Sequence, residues 1–172
     1  MIVSTPRLDL HPLPLPLIDA LLAGDLDAAR GLAPFPLDGQ TFAGDDYVLR
    51  LRQAQLRADP RELSWLYRAA VLRETGEVVA RAGFHAPPDA EGTVELGYRM
   101  HPGWRRRGVA TELAVGLLDW AREQGAVRCL ASTVPDNVAS QAVLARLGFV
   151  RTGEQVDEVD GLEWVYALEL VR

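Results

Sequence analysis

The chain has 172 residues, 48% of them hydrophobic and 24% charged, with a formal net charge of −6. A chain of that length can bury about 70% of its unfolded surface in one core, so a single domain over residues 1–172 is expected. The acidic balance argues against general nucleic-acid binding, which needs a broad basic face. No apolar run approaches the roughly 20 residues of a bilayer span and no basic-then-apolar signal opens the chain, so no membrane partner and a cytoplasmic location are expected.

Ile2 to Leu10 alternates as a first strand, with Val3, Leu8 and Leu10 apolar. Pro12, Pro14 and Pro16 then break regular structure and lead into a helix near Leu17 to Leu32, which Pro34 and Pro36 close. Asp45 is a plausible N-cap for a second amphipathic helix carrying Val48, Leu49, Leu51, Gln55 and Leu56 and ending before Pro60. Leu66 to Arg73 and Val78 to Phe84 flank the short turn Glu74-Thr75-Gly76-Glu77 and pair as a hairpin. After a turn over Pro87 to Gly92, Val94 to Met100 alternates like a strand. Val109, Leu113, Leu117 and Trp120/Ala121 then recur at helical spacing until Gly125. Residues 128 to 134 form a buried strand, containing the lone cysteine Cys129, that a helical crossover places parallel to 94–100. The last helix starts near Asp136 or Asn137, and Phe149 to Gln155 pairs with Leu162 to Val171 across Asp157 to Gly161.

Between the 94–100 strand and the central helix stand Arg105, Arg106 and Arg107, followed by Gly108, Val109 and Ala110. A helix N-terminus carries partial positive charge and unpaired N–H groups, so three cations there oppose the dipole unless an anion neutralises both. Gly108 and the small Ala110 would let a diphosphate approach the main chain. A solvated basic turn is the plain alternative. Neither a P-loop nor a dinucleotide Gly-x-Gly-x-x-Gly is present.

Arg-x-x-Gly-x-Ala, preceded by a Glu-Leu-Gly-Tyr strand and His-Pro, then followed by Asp136-Asn137-Val138-Ala139-Ser140 and Leu147-Gly148-Phe149, resembles the GNAT superfamily of N-acetyltransferases. Within it the RimJ/RimL-like branch, which acetylates ribosomal-protein N-termini, is the most similar. The resemblance is strongest over residues 70 to 155, includes the opening Ser4-Thr5-Pro6-Arg7-Leu8-Asp9-Leu10, and holds only in outline over 12 to 69. It implies a mixed α+β fold: a mostly antiparallel twisted sheet of about six to seven strands with a parallel, splayed central pair, and about four flanking helices. It also implies acetyl-CoA as co-substrate, with Arg105, Arg106, Arg107, Gly108, Val109, Ala110 and Thr111 around its diphosphate. Tyr98, Arg99 and Met100 would then lie beside the pantetheine and thioester, with a bulge that Gly97 would permit. The partner would be an amine acceptor, either a protein N-terminus or a small molecule such as a polyamine, amino acid or aminoglycoside. A homodimer is allowed, and a non-catalytic acyl-CoA binder is the alternative from another class.

Acetyl transfer to an amine needs a proton acceptor, a polarised carbonyl and a proton for the departing thiolate. Glu95 matches the family's water-mediated base; a plain surface carboxylate is the alternative. Asn137, Ser140, Leu144 and Leu147 share one face of the last helix. The resemblance gives Asn137 to the pantetheine arm and Ser140 to the sulfur or the phosphates, against simple capping and packing roles. Many superfamily members carry a tyrosine acid where this chain has Leu144, so Ser140, water or no enzyme group would serve the thiolate. His85 and His101 are lesser base candidates, Trp104 either packs under the helix, the favoured reading, or shields the diphosphate, and no His/Cys cluster has metal-ligand spacing, so no metal is expected.

Overall fold

The structure, a computed structural model, describes residues 1–170. The strands are β1 (Val3–Ser4), β2 (Leu8–Pro12), β3 (Arg68–Leu72), β4 (Val78–Phe84), β5 (Thr93–Met100), β6 (Arg128–Thr133), β7 (Val150–Asp157) and β8 (Gly161–Glu169). They form one sheet in the order β1-β2-β3-β4-β5-β6-β8-β7, and every pairing is antiparallel except β5 with β6. Five helices accompany it: α1 (Leu15–Leu22), α2 (Leu26–Leu32), α3 (Asp46–Ala58), α4 (Val109–Glu123) and α5 (Val138–Arg146).

This is the expected mixed architecture with one more strand and one more helix, and both extra elements come from a local break. The strand expected over Ile2 to Leu10 folds at Thr5-Pro6-Arg7, where the Thr5 N–H donates to the Leu8 carbonyl at 2.8 Å, and its halves pair with Val3 opposite Leu10. The helix expected over Leu17 to Leu32 divides at Gly24, whose φ of 70° is left-handed. Asp25 starts the next helix by accepting the Ala28 N–H at 3.0 Å. Pro16, expected to block regular structure, sits in the first turn of α1, where a missing N–H leaves no helical bond unmade. Asp45 does precede α3, but its carboxylate makes no cap and is engaged elsewhere. The last strand ends at Glu169, and Val171 lies outside the described residues.

Strand alternation divides the core between the two faces. From β3, Ala70 and Leu72 join the cluster containing Leu113, Leu117 and Trp120 of α4, whereas Ala69 and Val71 join Leu17, Ile18, Leu49 and Leu56 of α1 and α3. On the α4 face, in register with Ala70 and Leu72, lies Arg68, fully buried. Its Nη1 donates to the carbonyls of Met1 at 2.9 Å and Leu10 at 3.1 Å, its Nη2 donates to that of Ser64, and its Cζ lies 5.2 Å from the Trp120 ring centroid. Burial pulls its pKa down to about 10, so it is a cation at neutral pH with carbonyls and a π face in place of a carboxylate. Cys129 is likewise buried, and burial pushes its thiol up to about 12, which suits a packing role. Among the described residues no helix is long and apolar enough to cross a membrane.

Candidate active site

The site begins where two strands separate. β5 and β6 pair in parallel at Thr93–Arg128, Val94–Cys129 and Glu95–Leu130, and the ladder stops there. β5 continues beside β4 as far as Met100, and β6 continues beside β8 as far as Thr133. From Leu96 onward one edge of β5 therefore has no strand partner, as the splay requires. The bulge expected at Gly97 is absent: the β4–β5 register runs unbroken from Ala80–Met100 to Phe84–Leu96, with Gly83 opposite Gly97. The gap opens because two regular ladders diverge, not because a residue is inserted. Gly97 has another reason to lack a side chain, since a Cβ there would lie 2.8 Å from His85 Nε2.

Beyond this fork, α4 points its N-terminus outward. Gly108, the N-cap, has φ 73°, and Arg106 is also left-handed at φ 60°, a conformation that costs a non-glycine residue roughly 1 kcal/mol. The first helical bond runs from the Glu112 N–H to the Gly108 carbonyl at 3.1 Å, so the N–H groups of Val109, Ala110 and Thr111 have no backbone partner among the described residues. Arg105, Arg106, Arg107 and Gly108 are exposed, and none of the three arginines forms a salt bridge among the described residues. Arg107 instead lies over the Trp104 ring at 4.8 Å, while Trp104 Nε1 donates to Glu77 Oε1 at 2.8 Å. Trp104 packs against the core, as expected for a supporting residue. Free donors, two left-handed residues and unneutralised cations make a cradle that suits a diphosphate.

The two faces of β5 carry different chemistry. Leu96, Tyr98 and Met100 lie against the core on the α4 side. On the other face, Glu95 Oε1 accepts from Ser132 Oγ at 2.9 Å and its Oε2 lies 3.4 Å from His85 Nδ1. Ser132 also accepts from Gln155 Nε2 at 3.2 Å, and that amide donates to Glu163 Oε2 at 3.1 Å. The imidazole of His85 is the main influence holding the Glu95 carboxyl below its ordinary range; burial pushes the other way and Ser132 adds to the lowering. Glu95 thus stands charged at the fork, with its partners supplied by the residue that follows β4 and by β6. His101 makes no contact of this kind, and its Nδ1 is buried without a hydrogen-bond partner among the described residues.

On α5, Asn137 is the N-cap and its Oδ1 accepts the Ser140 N–H at 3.1 Å. Its amide nitrogen makes no hydrogen bond among the described residues. Ser140 Oγ lies 3.0 Å from Tyr98 Oη, so this pair links β5 to α5. Burial raises the Tyr98 pKa and the Ser140 contact partly offsets that, leaving the phenol protonated at neutral pH. Leu144 is buried in the core. Nothing in a sequence separation of 42 announces the contact between Tyr98 and Ser140.

Arg99, expected to face the cofactor through its backbone, sends its side chain elsewhere. It turns to the α3 side, where Nη1 lies 3.3 Å from Asp45 Oδ1 and 3.4 Å from the Gly44 carbonyl, leaving only its backbone on the open edge of β5. Asp45 is almost wholly buried and also receives Arg81, with Nη2 at 2.8 Å from Oδ1 and Nε at 2.6 Å from Oδ2, and the Tyr67 hydroxyl at 2.9 Å. Arg52 and Gln55 of α3 both donate to the His85 carbonyl at 2.8 Å. The α3 wall is thus fixed to β4 and β5 by buried polar contacts that sequence reasoning missed.

A family model described as an acetyltransferase (GNAT) domain matches residues 7–150. YjdG, an uncharacterised N-acetyltransferase of Bacillus subtilis (strain 168), is 28% identical over 171 residues, covering 96% of this chain and 98% of that protein. Among solved structures, the ribosomal-protein-S5-alanine acetyltransferase from Vibrio fischeri is similar with a TM-score of 0.66 at 17% identity, over 98% of this chain and 96% of that one. Mycobacterium smegmatis RimJ, solved in complex with CoA-disulfide, gives 0.65 at 22% identity, over 98% of this chain and 87% of that one. With the divergent strands and the arginine-glycine helix start already in view, the match places this chain in the GNAT family of acetyltransferases, as an acyltransferase enzyme.

Proposed function

We propose that the chain, acting as one domain, transfers an acetyl group from acetyl-CoA to a primary amine by direct attack on the thioester, and that the acceptor is a protein N-terminal amine. The observation that carries this reading is the end of the β5–β6 ladder at Glu95–Leu130, which leaves an open strand edge between the charged Glu95 carboxylate and the free N-terminus of α4. Similarity to ribosomal-protein acetyltransferases supports the choice of acceptor.

Acetyl-CoA would supply an activated acyl thioester. The N–H groups of Gly108 to Thr111, with Arg105, Arg106 and Arg107, would hold its diphosphate. The open backbone of Tyr98 to Met100 would pair with the pantetheine arm and donate an N–H to the reacting carbonyl, and the free amide of Asn137 faces the same role toward the arm. Glu95, kept ionised by His85 and Ser132, takes a proton from the acceptor ammonium through a water, and the neutral amine so freed attacks the thioester carbonyl. Ser140 returns a proton to the thiolate, with the protonated Tyr98 hydroxyl behind it; Leu144 brings no acid.

The test is thiol release from acetyl-CoA with a panel of peptides and small amines. Turnover with peptides bearing a free N-terminus, and none with N-blocked peptides, supports the reading; turnover confined to polyamines, amino acids or aminoglycosides overturns the acceptor. For Glu95→Gln, turnover should fall about 10- to 100-fold, as general-base loss does, with coenzyme A affinity kept and the rate profile moved to higher pH. Unchanged turnover across pH removes Glu95 from the mechanism.

A further inference from the structure

One arginine near the helix N-terminus comes from the other end of the chain. Arg7 lies in the turn between β1 and β2, and its side chain is about half exposed. Its backbone N–H donates to Glu112 Oε1 at 2.7 Å, its Nε donates to Glu112 Oε2 at 2.6 Å, and its Nη1 donates to the Arg107 carbonyl at 3.3 Å. Thr5 Oγ1 adds a bond to Glu112 Oε1 at 2.6 Å. The hairpin can dock this closely because α4 carries Gly116 beneath it, where a Cβ would stand 2.5 Å from Thr5 Cγ2.

Two consequences follow for the cradle. Glu112, the acid of the first turn of α4, has both oxygens engaged by the N-terminal hairpin, so it does not neutralise Arg105, Arg106 or Arg107. The Arg107 carbonyl, which precedes the left-handed Gly108, is tied back by Arg7 Nη1, and this fixes the peptide whose far side begins the row of free N–H groups. Arg7 Nη2 has no hydrogen bond among the described residues and lies 3.7 Å from where a Gly108 Cβ would sit. A guanidinium with two of its arms committed presents the third in a fixed direction, as its planar fork requires.

We infer that Arg7 is a positioning residue of the diphosphate cradle: through Glu112 and the Arg107 carbonyl it sets the helix-start loop, and through Nη2 it adds a donor beside Gly108. The N-terminal hairpin is then part of the cofactor site. This rests on the acetyl-CoA reading above.

The experiment compares the unaltered chain with Arg7→Gln and Arg7→Lys, using coenzyme A binding by calorimetry and kinetics with two donors, acetyl-CoA and a truncated acetyl thioester lacking the diphosphate. Arg7→Gln should weaken coenzyme A binding and raise the KM for acetyl-CoA about tenfold, as loss of charge-assisted hydrogen bonds does, with kcat within about twofold. Its kcat/KM with the truncated thioester should equal that of the unaltered chain. Arg7→Lys should remain impaired, because an ammonium cannot hold Glu112 and the Arg107 carbonyl in one plane. Equal losses with both donors, or full rescue by lysine, would overturn the inference. If Arg7→Gln does not fold, hydrogen exchange on the unaltered chain decides: coenzyme A should slow exchange of the Arg7 and Glu112 amides, and unchanged exchange there rejects the idea. A chain that binds no coenzyme A at all removes the functional reading and this inference together, whereas normal binding with an indifferent Arg7→Gln removes only the latter.

Discussion

Two arginine clusters flank β5, and they are built on opposite terms. On the α3 side, Arg81 and Arg99 converge on one buried carboxylate, Asp45, with Tyr67 completing its shell. At the start of α4, Arg105, Arg106 and Arg107 stand in solvent without a carboxylate, and the nearest first-turn acid is already bound by Arg7. The first cluster has a carboxylate built into it and holds a wall in place; the second has none and suits an incoming anion. Residue type alone does not separate them. What separates them is whether the counter-charge is part of the chain.

The contrast can be broken most sharply at its closed end. Asp45→Asn leaves the buried Arg81 guanidinium uncompensated and should cost about 3–5 kcal/mol of stability, read as the unfolding midpoint in denaturant, with the residual folded protein still binding coenzyme A. Next in size, Gly108→Glu puts a side chain and a negative charge into a left-handed position at the open end; coenzyme A affinity should drop by about 100-fold or more, the scale of a lost oxyanion-type donor, with little change in melting temperature beyond the φ strain. Normal affinity in that variant would refute a main-chain cradle. A smaller effect separates strain from charge at Arg106: Arg106→Gly relieves a left-handed non-glycine residue, so stability should hold or rise by up to about 1 kcal/mol, while coenzyme A binding weakens several-fold and loses part of its salt dependence. Smallest is the acid limb of stability. Burial raises the Glu112 pKa, but the bonds from Thr5 and Arg7 more than offset it and the folded value is lowered. A lowered carboxyl contributes stability above its ordinary value, lost as pH falls through the folded one. Glu112→Gln should therefore lower stability at neutral pH and flatten its fall below about pH 4.5, the ordinary glutamate value.

The sequence carried the parts of this molecule that depend on local pattern. The β3–β4 hairpin, the parallel β5–β6 pair across α4, and the start of α5 at Asn137 all follow from alternation, helical spacing and turn residues within a few positions of one another. What it hid depends on long-range contact or on small breaks. A single left-handed glycine divided the first helix, and Thr5-Pro6-Arg7 turned one strand into two, neither of which disturbs the apolar pattern. At the candidate site, motif alone nominates Glu95 and the arginine-glycine loop, whereas Ser132 and Gln155 beside Glu95, Tyr98 beside Ser140, and Arg7 beside Arg107 meet only through the fold. The reason for Gly97 is hidden too, since sequence cannot display the imidazole of His85 lying above it.

Arg68 bears on how the chain comes apart. Its guanidinium is held by carbonyls from Met1, Leu10 and Ser64 and by the ring of Trp120, four points scattered between residues 1 and 120. Withdrawing any one of them leaves the buried cation short of an acceptor in an interior that offers no water in exchange. Fraying of the first strand is thereby coupled to loss of the central helix, and melting of this half should proceed as one all-or-none event rather than by peeling from the amino terminus.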